Sequence, residues 1–139
     1  MYTSFAEVYD QLMDNVNYDR WADFYRDMLW HNGVMQSSKV CECACGTGGL
    51  TIPLYRRGFQ MTGVDLSQEM LWIAAQKARR QGIGMPFVQQ DMRNLHLHRQ
   101  MDAVIATCDG SVPSQRAYWI EEDSIGYRSD VVVGLGISI

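Results

Sequence analysis

No run of about 18 apolar residues occurs anywhere in the chain, so no membrane-spanning helix is expected. Positive charge is in deficit: 12 Lys and Arg stand against 16 Asp and Glu, for a net charge of −4. That excludes the basic field by which a general nucleic-acid or membrane-surface binder is recognised. The N-terminus has no charged stretch followed by an apolar core. No secretory signal is therefore expected, and the cytoplasm is the expected compartment. Cysteine is present four times but never as C-x-x-C. Cys41, Cys43 and Cys45 alternate along one expected strand and lean to one face, which does not wrap a tetrahedral ion. They read as small buried residues in a reducing compartment, with no metal site. Repeats and low-complexity tracts are also lacking. With 139 residues the chain suits one domain.

What is there centres on Val40-Cys41-Glu42-Cys43-Ala44-Cys45-Gly46-Thr47-Gly48-Gly49-Leu50. This run reads as a buried strand bearing an acid, then a glycine turn, then a helix start. Glycine lets a backbone approach a ligand closely because no Cβ intervenes. Gln60-Met61-Thr62-Gly63-Val64-Asp65 reads as the next strand, with a carboxylate at its carboxyl end. A glycine turn after one strand and an acid after the next is how a doubly wound sheet holds a nucleoside. No Gly-Lys-Ser/Thr follows the turn, so a triphosphate loop is excluded. A dinucleotide fingerprint needs a third small residue, and Thr51 stands there. Glu42 in the same crevice would repel a pyrophosphate and suits a cationic amine without phosphate. A nicotinamide-dependent oxidoreductase is accordingly a distant alternative.

Around this core, residues 4–16 carry Phe5, Val8, Tyr9, Leu12, Met13 and Val16 at helical spacing, with Ser4 able to cap. A second helix follows, with Asp19 as its expected cap and Trp21, Phe24, Tyr25, Met28 and Leu29 as its apolar face. It ends at His31-Asn32-Gly33. A short helix is expected from about Gly49 to Arg57. A longer one is capped by Ser67 and runs to about Gln81, with Met70, Leu71, Ala74 and Ala78 inward. Strands are expected over Met85–Gln89 and Asp102–Thr107. The run Ala103-Val104-Ile105-Ala106 is typical of a parallel strand buried on both faces. The result is an α/β fold, a Rossmann-like doubly wound parallel sheet of order 3-2-1-4, with right-handed crossovers and two N-terminal helices.

At Glu42 to Gly48, Val64-Asp65-Leu66-Ser67 with Met70, and Gln90-Asp91-Met92, the chain resembles the class I S-adenosylmethionine-dependent methyltransferases. Its start is similar to one soluble bacterial group of that family, through Phe5-Ala6, Tyr9-Asp10, Leu12-Met13, Tyr18 and Trp21. The resemblance covers about residues 1–110 and implies S-adenosylmethionine as cofactor. It implies that Asp65 accepts the ribose hydroxyls and that Asp91 takes the adenine amino group. Met92, Leu66 and Met70 would sandwich the base. Ala44, Gly46 and Gly48 would line the methionyl part and sugar, and Glu42 would balance the ammonium. Tyr9 and Tyr18 would edge the sulfonium, where an aromatic face attracts a cation, and Thr107 would close the site. Structural readings stand beside these. Asp65 and Ser67 also suit a helix cap, Asp91 a turn, Glu42 a tie for loop amides, and the two tyrosines helix packing. His96-Leu97-His98 reads as a solvated loop.

Residues 1–35 thus form an expected helical cap, 36–110 a cofactor-binding core, and 111–139 a divergent tail within one domain. The family's seven-stranded ending does not fit in this tail, so the chain reads as C-terminally truncated. A helix over about Gln115–Ser124 and a fifth strand beside the fourth, bearing Val131, Val133, Leu135, Ile137 and Ile139 on one face, are expected. An open apolar sheet edge favours a homodimer. Thr107-Cys108-Asp109-Gly110 lies where an acceptor would approach and lacks the Asp/Asn-Pro-Pro-aromatic motif of amino-methylating nucleic-acid enzymes. A small-molecule acceptor is expected, with Asp109 the candidate acid–base group. Methyl transfer is the expected activity, and a fragment that binds cofactor without turnover is the alternative.

Overall fold

The computed structural model describes residues 17–91, 95–97, 101–106 and 132–133. The expected helix over 4–16 lies outside them. In chain order the elements are α1 (Tyr18–His31), β1 (Lys39–Cys43), α2 (Thr51–Arg56), β2 (Gln60–Asp65), α3 (Gln68–Arg80), β3 (Phe87–Gln89), β4 (Ala103–Ala106) and β5 (Val132–Val133). The strands form one sheet of order β3-β2-β1-β4-β5. Every pairing is parallel. The expected order is therefore observed, and the described part of the fifth strand pairs with β4.

The sheet's two faces are divided by the alternation of side chains along each strand. Val40, Met61, Ala103 and Ile105 pack under Tyr25 and Leu29 of α1 and Leu50 and Leu54 around α2. Cys41, Cys43, Val64, Val104 and Ala106 face the other way, against Leu95, Leu97 and Met101. All four residues of β4 are buried, as a strand covered on both faces requires. β4 starts one residue later than expected, and Thr107, its expected last residue, lies outside the described residues. At its start Asp102 ties down β1 instead of extending β4: its carboxylate accepts from the Lys39 N–H at 2.8 Å, and its own N–H donates to the Lys39 carbonyl at 2.7 Å.

Local chemistry explains the other boundaries. Ser67 caps α3 by accepting from the Met70 N–H at 3.1 Å, and Met70, Leu71, Ala74 and Ala78 are its buried residues, as expected. β3 starts at Phe87, later than the expected Met85, because Pro86 has no N–H to give to the ladder. The cap of α1 is Asn17, not Asp19: its side-chain oxygen accepts from the Arg20 N–H at 3.1 Å. The buried stripe of α1 is also turned from the expected one. Ala22, Tyr25 and Leu29 are buried, whereas Trp21 and Phe24 are 38% and 48% exposed. Small Ala22, with no measurable exposure, lets the helix approach the sheet closely. Cys45 does not continue the alternation of Cys41 and Cys43. β1 ends at Cys43, and Ala44 turns the chain with a φ of 58°.

Candidate functional site

The carboxyl ends of β1, β2 and β3 lie side by side, because Cys43 pairs with Val64 and Asp65 with Gln89. Between β1 and α2 the chain takes left-handed backbone at Ala44, Gly46 and Gly48, with φ of 58°, 58° and 82°. Glycine adopts this conformation freely, whereas at Ala44 it stores strain, a feature that clusters at functional sites. Gly48 has a packing reason as well, since a Cβ there would stand 3.2 Å from the Cβ of Ala74 on α3.

Asp65 holds the turns after β1 and β2 together. One carboxylate oxygen accepts from the Gly46 N–H at 2.8 Å, and the other from the Ser67 N–H at 2.9 Å. An ionised carboxylate offers about four acceptor positions, so these two amide bonds leave each oxygen able to accept a hydroxyl. Leu66, beside it, is 62% exposed. Gln90 continues the site just past β3: its N–H donates to the Asp65 carbonyl at 3.2 Å. The Gln90 side chain also donates to the His96 carbonyl and accepts from the His96 N–H, each at 2.8 Å. That pair of bonds closes the loop in which Asp91, half-buried, leaves the sheet.

Glu42 is placed differently. It is 1% exposed, and its carboxylate accepts from the Thr51 hydroxyl at 2.6 Å. Thr51 is itself fully buried at the first turn of α2. The sequence marks Thr51 only as the wrong residue for a dinucleotide; its role as partner of Glu42 carries no local signature. Tyr18 is brought to the glycine turn. A Cβ on Gly49 would stand 2.6 Å from the Tyr18 ring, so only glycine leaves room for the ring against the backbone here. Gly63 serves close packing too, with Phe87 at 2.7 Å and Cys45 Sγ at 2.9 Å from a Cβ built there.

Met70, by contrast, faces inward on α3 and is only 8% exposed. Leu66 is exposed where Met70 is buried, and Met92, the third member of the expected sandwich, lies outside the described residues. Tyr9, Thr107, Cys108 and Asp109 lie outside them as well. Among the described residues no cluster of His, Cys, Asp and Glu is arranged to hold a metal ion.

The thiols beneath the turn are kept protonated. The Cys43 thiol is pushed well up, first by its hydrogen bond with Cys41 and then by burial. Cys45 is raised by burial first, with the nearby Glu42 and Asp65 charges adding to it. Neither has the lowered pKa of a reactive cysteine. A cavity of about 960 Å³ reaches the site only at Gln90 and His96 and is otherwise lined by Lys39, Gln60, Thr62 and Val88 among others. None of Glu42, Gly46, Gly48 and Asp65 lines it. The Asp65 acceptors and the glycine backbone therefore stand at the strand ends and not in this hollow.

The donor set suits an adenosyl ligand: acceptors for a ribose, an exposed apolar side chain for a base, glycine backbone for close approach, and no triphosphate loop. Comparison with known proteins agrees. A methyltransferase domain family matches residues 40–121. Two relatives, each named "Putative methyltransferase", are 41% identical. One, from Geobacillus sp. (strain WCH70), aligns over 108 residues, 78% of this chain and 44% of its own length. The other, from Bacillus subtilis (strain 168), aligns over 110 residues, 78% of this chain and 42% of its own length. The crystal structure of a S-adenosylmethionine-dependent methyltransferase from Clostridium acetobutylicum superposes with a TM-score of 0.64 at 37% identity, covering 76% of this chain and 43% of that one. The chain thus spans less than half the length of the relatives it matches. On sheet order, strand-end chemistry and sequence match together, it belongs to the S-adenosylmethionine-dependent methyltransferase family.

Proposed function

We propose that this chain binds S-adenosylmethionine across the carboxyl ends of β1, β2 and β3 and directs its methyl group to a small-molecule acceptor. The observation that carries the reading is Asp65, whose two oxygens fasten the glycine turn and the start of α3 while keeping acceptor capacity for a ribose diol. Bound there, the cofactor supplies a methyl carbon already activated by a sulfonium. The chain's own part is alignment, a contribution of about 7–11 kcal/mol to lowering a barrier when reacting atoms are well placed. Leu66 offers the adenine an apolar surface, Asp91 an acceptor for its amino group, and the Tyr18 ring a wall beside the turn. Glu42, sealed under the turn, acts on the ligand's ammonium through the electrostatic field and the loop it braces. A general base is needed only for an acceptor that must lose a proton, and Asp109 is the candidate.

The assignment of a small acceptor rests on the missing Asp/Asn-Pro-Pro-aromatic motif and on the acidic net charge. No helix among the described residues is long and apolar enough to cross a membrane, and a cytoplasmic setting is the proposal that accompanies this. The short coverage of the relatives favours a second reading, in which this span binds cofactor without turnover. Titration calorimetry with S-adenosylmethionine, S-adenosylhomocysteine and NAD separates the classes. Binding of the first two is expected; binding of NAD alone would overturn the assignment. Release of S-adenosylhomocysteine across an acceptor panel then decides between enzyme and binding domain. Light scattering tests the proposed pairing of sheet edges into a homodimer.

A further inference from the structure

The Arg57 guanidinium donates to acceptors on two helices, and nothing in the cofactor chemistry accounts for it. It follows α2 directly and folds back along that helix, donating from Nη1 to the Pro53 carbonyl at 3.0 Å. Its other nitrogens cross to α1. Nε donates to the Asp23 carboxylate at 2.9 Å, and Nη2 to the Asp19 carbonyl at 3.1 Å, with the Asp19 carboxylate 3.5 Å away. The side chain is 18% exposed, so these bonds are partly shielded from solvent. Asp23 is steadied in turn by Arg26 at 3.3 Å. The planar fork of an arginine can hold several acceptors at once in fixed directions.

What the fork grips is the first two turns of α1, whose first residue is Tyr18. The Tyr18 ring lies on Gly49, two residues before α2 begins. Arg57 and the Tyr18–Gly49 contact therefore join the same two segments at two points. We propose that Arg57 is a positioning residue for the cofactor site: it holds α1 in register with α2, so that the Tyr18 ring stays on the glycine turn as a wall of the site. The inference rests on the proposed cofactor reading. Arg57 itself touches no ligand. Its action is geometric, and its sign separates it from simple charge. S-adenosylmethionine carries a net positive charge, so removal of a cation would by relief of Coulomb repulsion alone strengthen binding, whereas loss of the clamp weakens it.

Calorimetric affinity for S-adenosylmethionine in Arg57→Gln, Tyr18→Leu and the double variant tests this. Arg57→Gln is expected to bind about 3- to 10-fold more weakly, and the double variant no more weakly than Tyr18→Leu alone, the non-additivity of residues that act through one another. Arg57→Lys, which keeps the charge and loses the fork, is expected to resemble Arg57→Gln. If Arg57→Gln does not fold by circular dichroism, Asp23→Ala, which removes the acceptor of Nε from the exposed side, carries the same comparison. Unchanged or tighter binding by a folded clamp variant overturns the inference, as does a loss that adds in full to that of Tyr18→Leu. Failure of the unaltered protein to bind the cofactor overturns the functional reading instead, so the two failures are distinguishable.

Discussion

The ends of β1 and β2 carry the same kind of side chain in opposite surroundings. Glu42 is 1% exposed and joined to a buried hydroxyl, while Asp65 is half-buried and joined to two backbone amides. Both hold the glycine turn, but from different sides: Glu42 from beneath, through α2, and Asp65 from the lip, through Gly46. A carboxylate deep in a protein is costly unless its partners are fixed. Glu42 thus acts chiefly on the shape of the loop. At the lip, Asp65 keeps lone pairs for a ligand. Under the proposed function, burial rather than residue type divides bracing from binding.

Three substitutions probe that division. Glu42→Ala has the largest expected effect: it leaves the Thr51 hydroxyl unpaired beside a new cavity and lowers stability by about 2–4 kcal/mol in a denaturant titration. If stability held and only cofactor affinity fell, Glu42 would belong with Asp65 as a ligand group and the contrast would break. Asp65→Ala should weaken S-adenosylmethionine binding by about 10- to 100-fold, on the scale of hydrogen bonds to a charged acceptor. Calorimetry reads this directly, and an unaltered affinity would remove Asp65 from the site. Thr51→Val keeps the shape and removes the donor to Glu42. A loss of about 1–2 kcal/mol in stability is expected, with little change in affinity once folding is corrected for. A large affinity loss in the folded variant would show that the brace itself tunes binding.

The same contrast explains what the sequence could reveal. Signals carried by neighbouring residues were readable: the bounds of β2, the Ser67 cap, the four buried residues of α3 and the sheet order all follow from periodicity, turn chemistry and crossover handedness. The strand-end acids were readable as a pair because a glycine turn follows the first and a helix cap the second. Which of the two was sealed was not, since that depends on Thr51 meeting Glu42 across a strand, a turn and a helix start. Trp21 and Phe24 misled because α1 carries aromatics over a broad arc, and the choice of inner face is made by how closely Ala22 lets the sheet approach. Asn17 and Asp19 are both good caps, and only the observed start of the helix decides between them. Arg57 was invisible for the same reason as Thr51: its acceptors Asp19 and Asp23 are distant in sequence.

The smallest expected effect concerns pH and lies directly under the turn. An unperturbed thiol ionises near 9.0, and burial of Cys45 raises that value in the folded protein. Above pH 9 the unfolded chain loses this proton while the folded one keeps it, so the native state binds more protons and stability falls as pH rises. Below pH 9 the contribution is fully present. Between about pH 7 and about pH 9.5 the loss from one such thiol is about 0.5–1 kcal/mol. Cys45→Ala removes the group, and thermal melts across that range should show a shallower alkaline decline than the unaltered protein, whatever the variant's stability at neutral pH. Cys43, raised by Cys41 and by burial, keeps part of the slope in place. An identical slope in the variant would mean that Cys45 meets solvent, and that the turn between Glu42 and Asp65 is open underneath as well as at its lip.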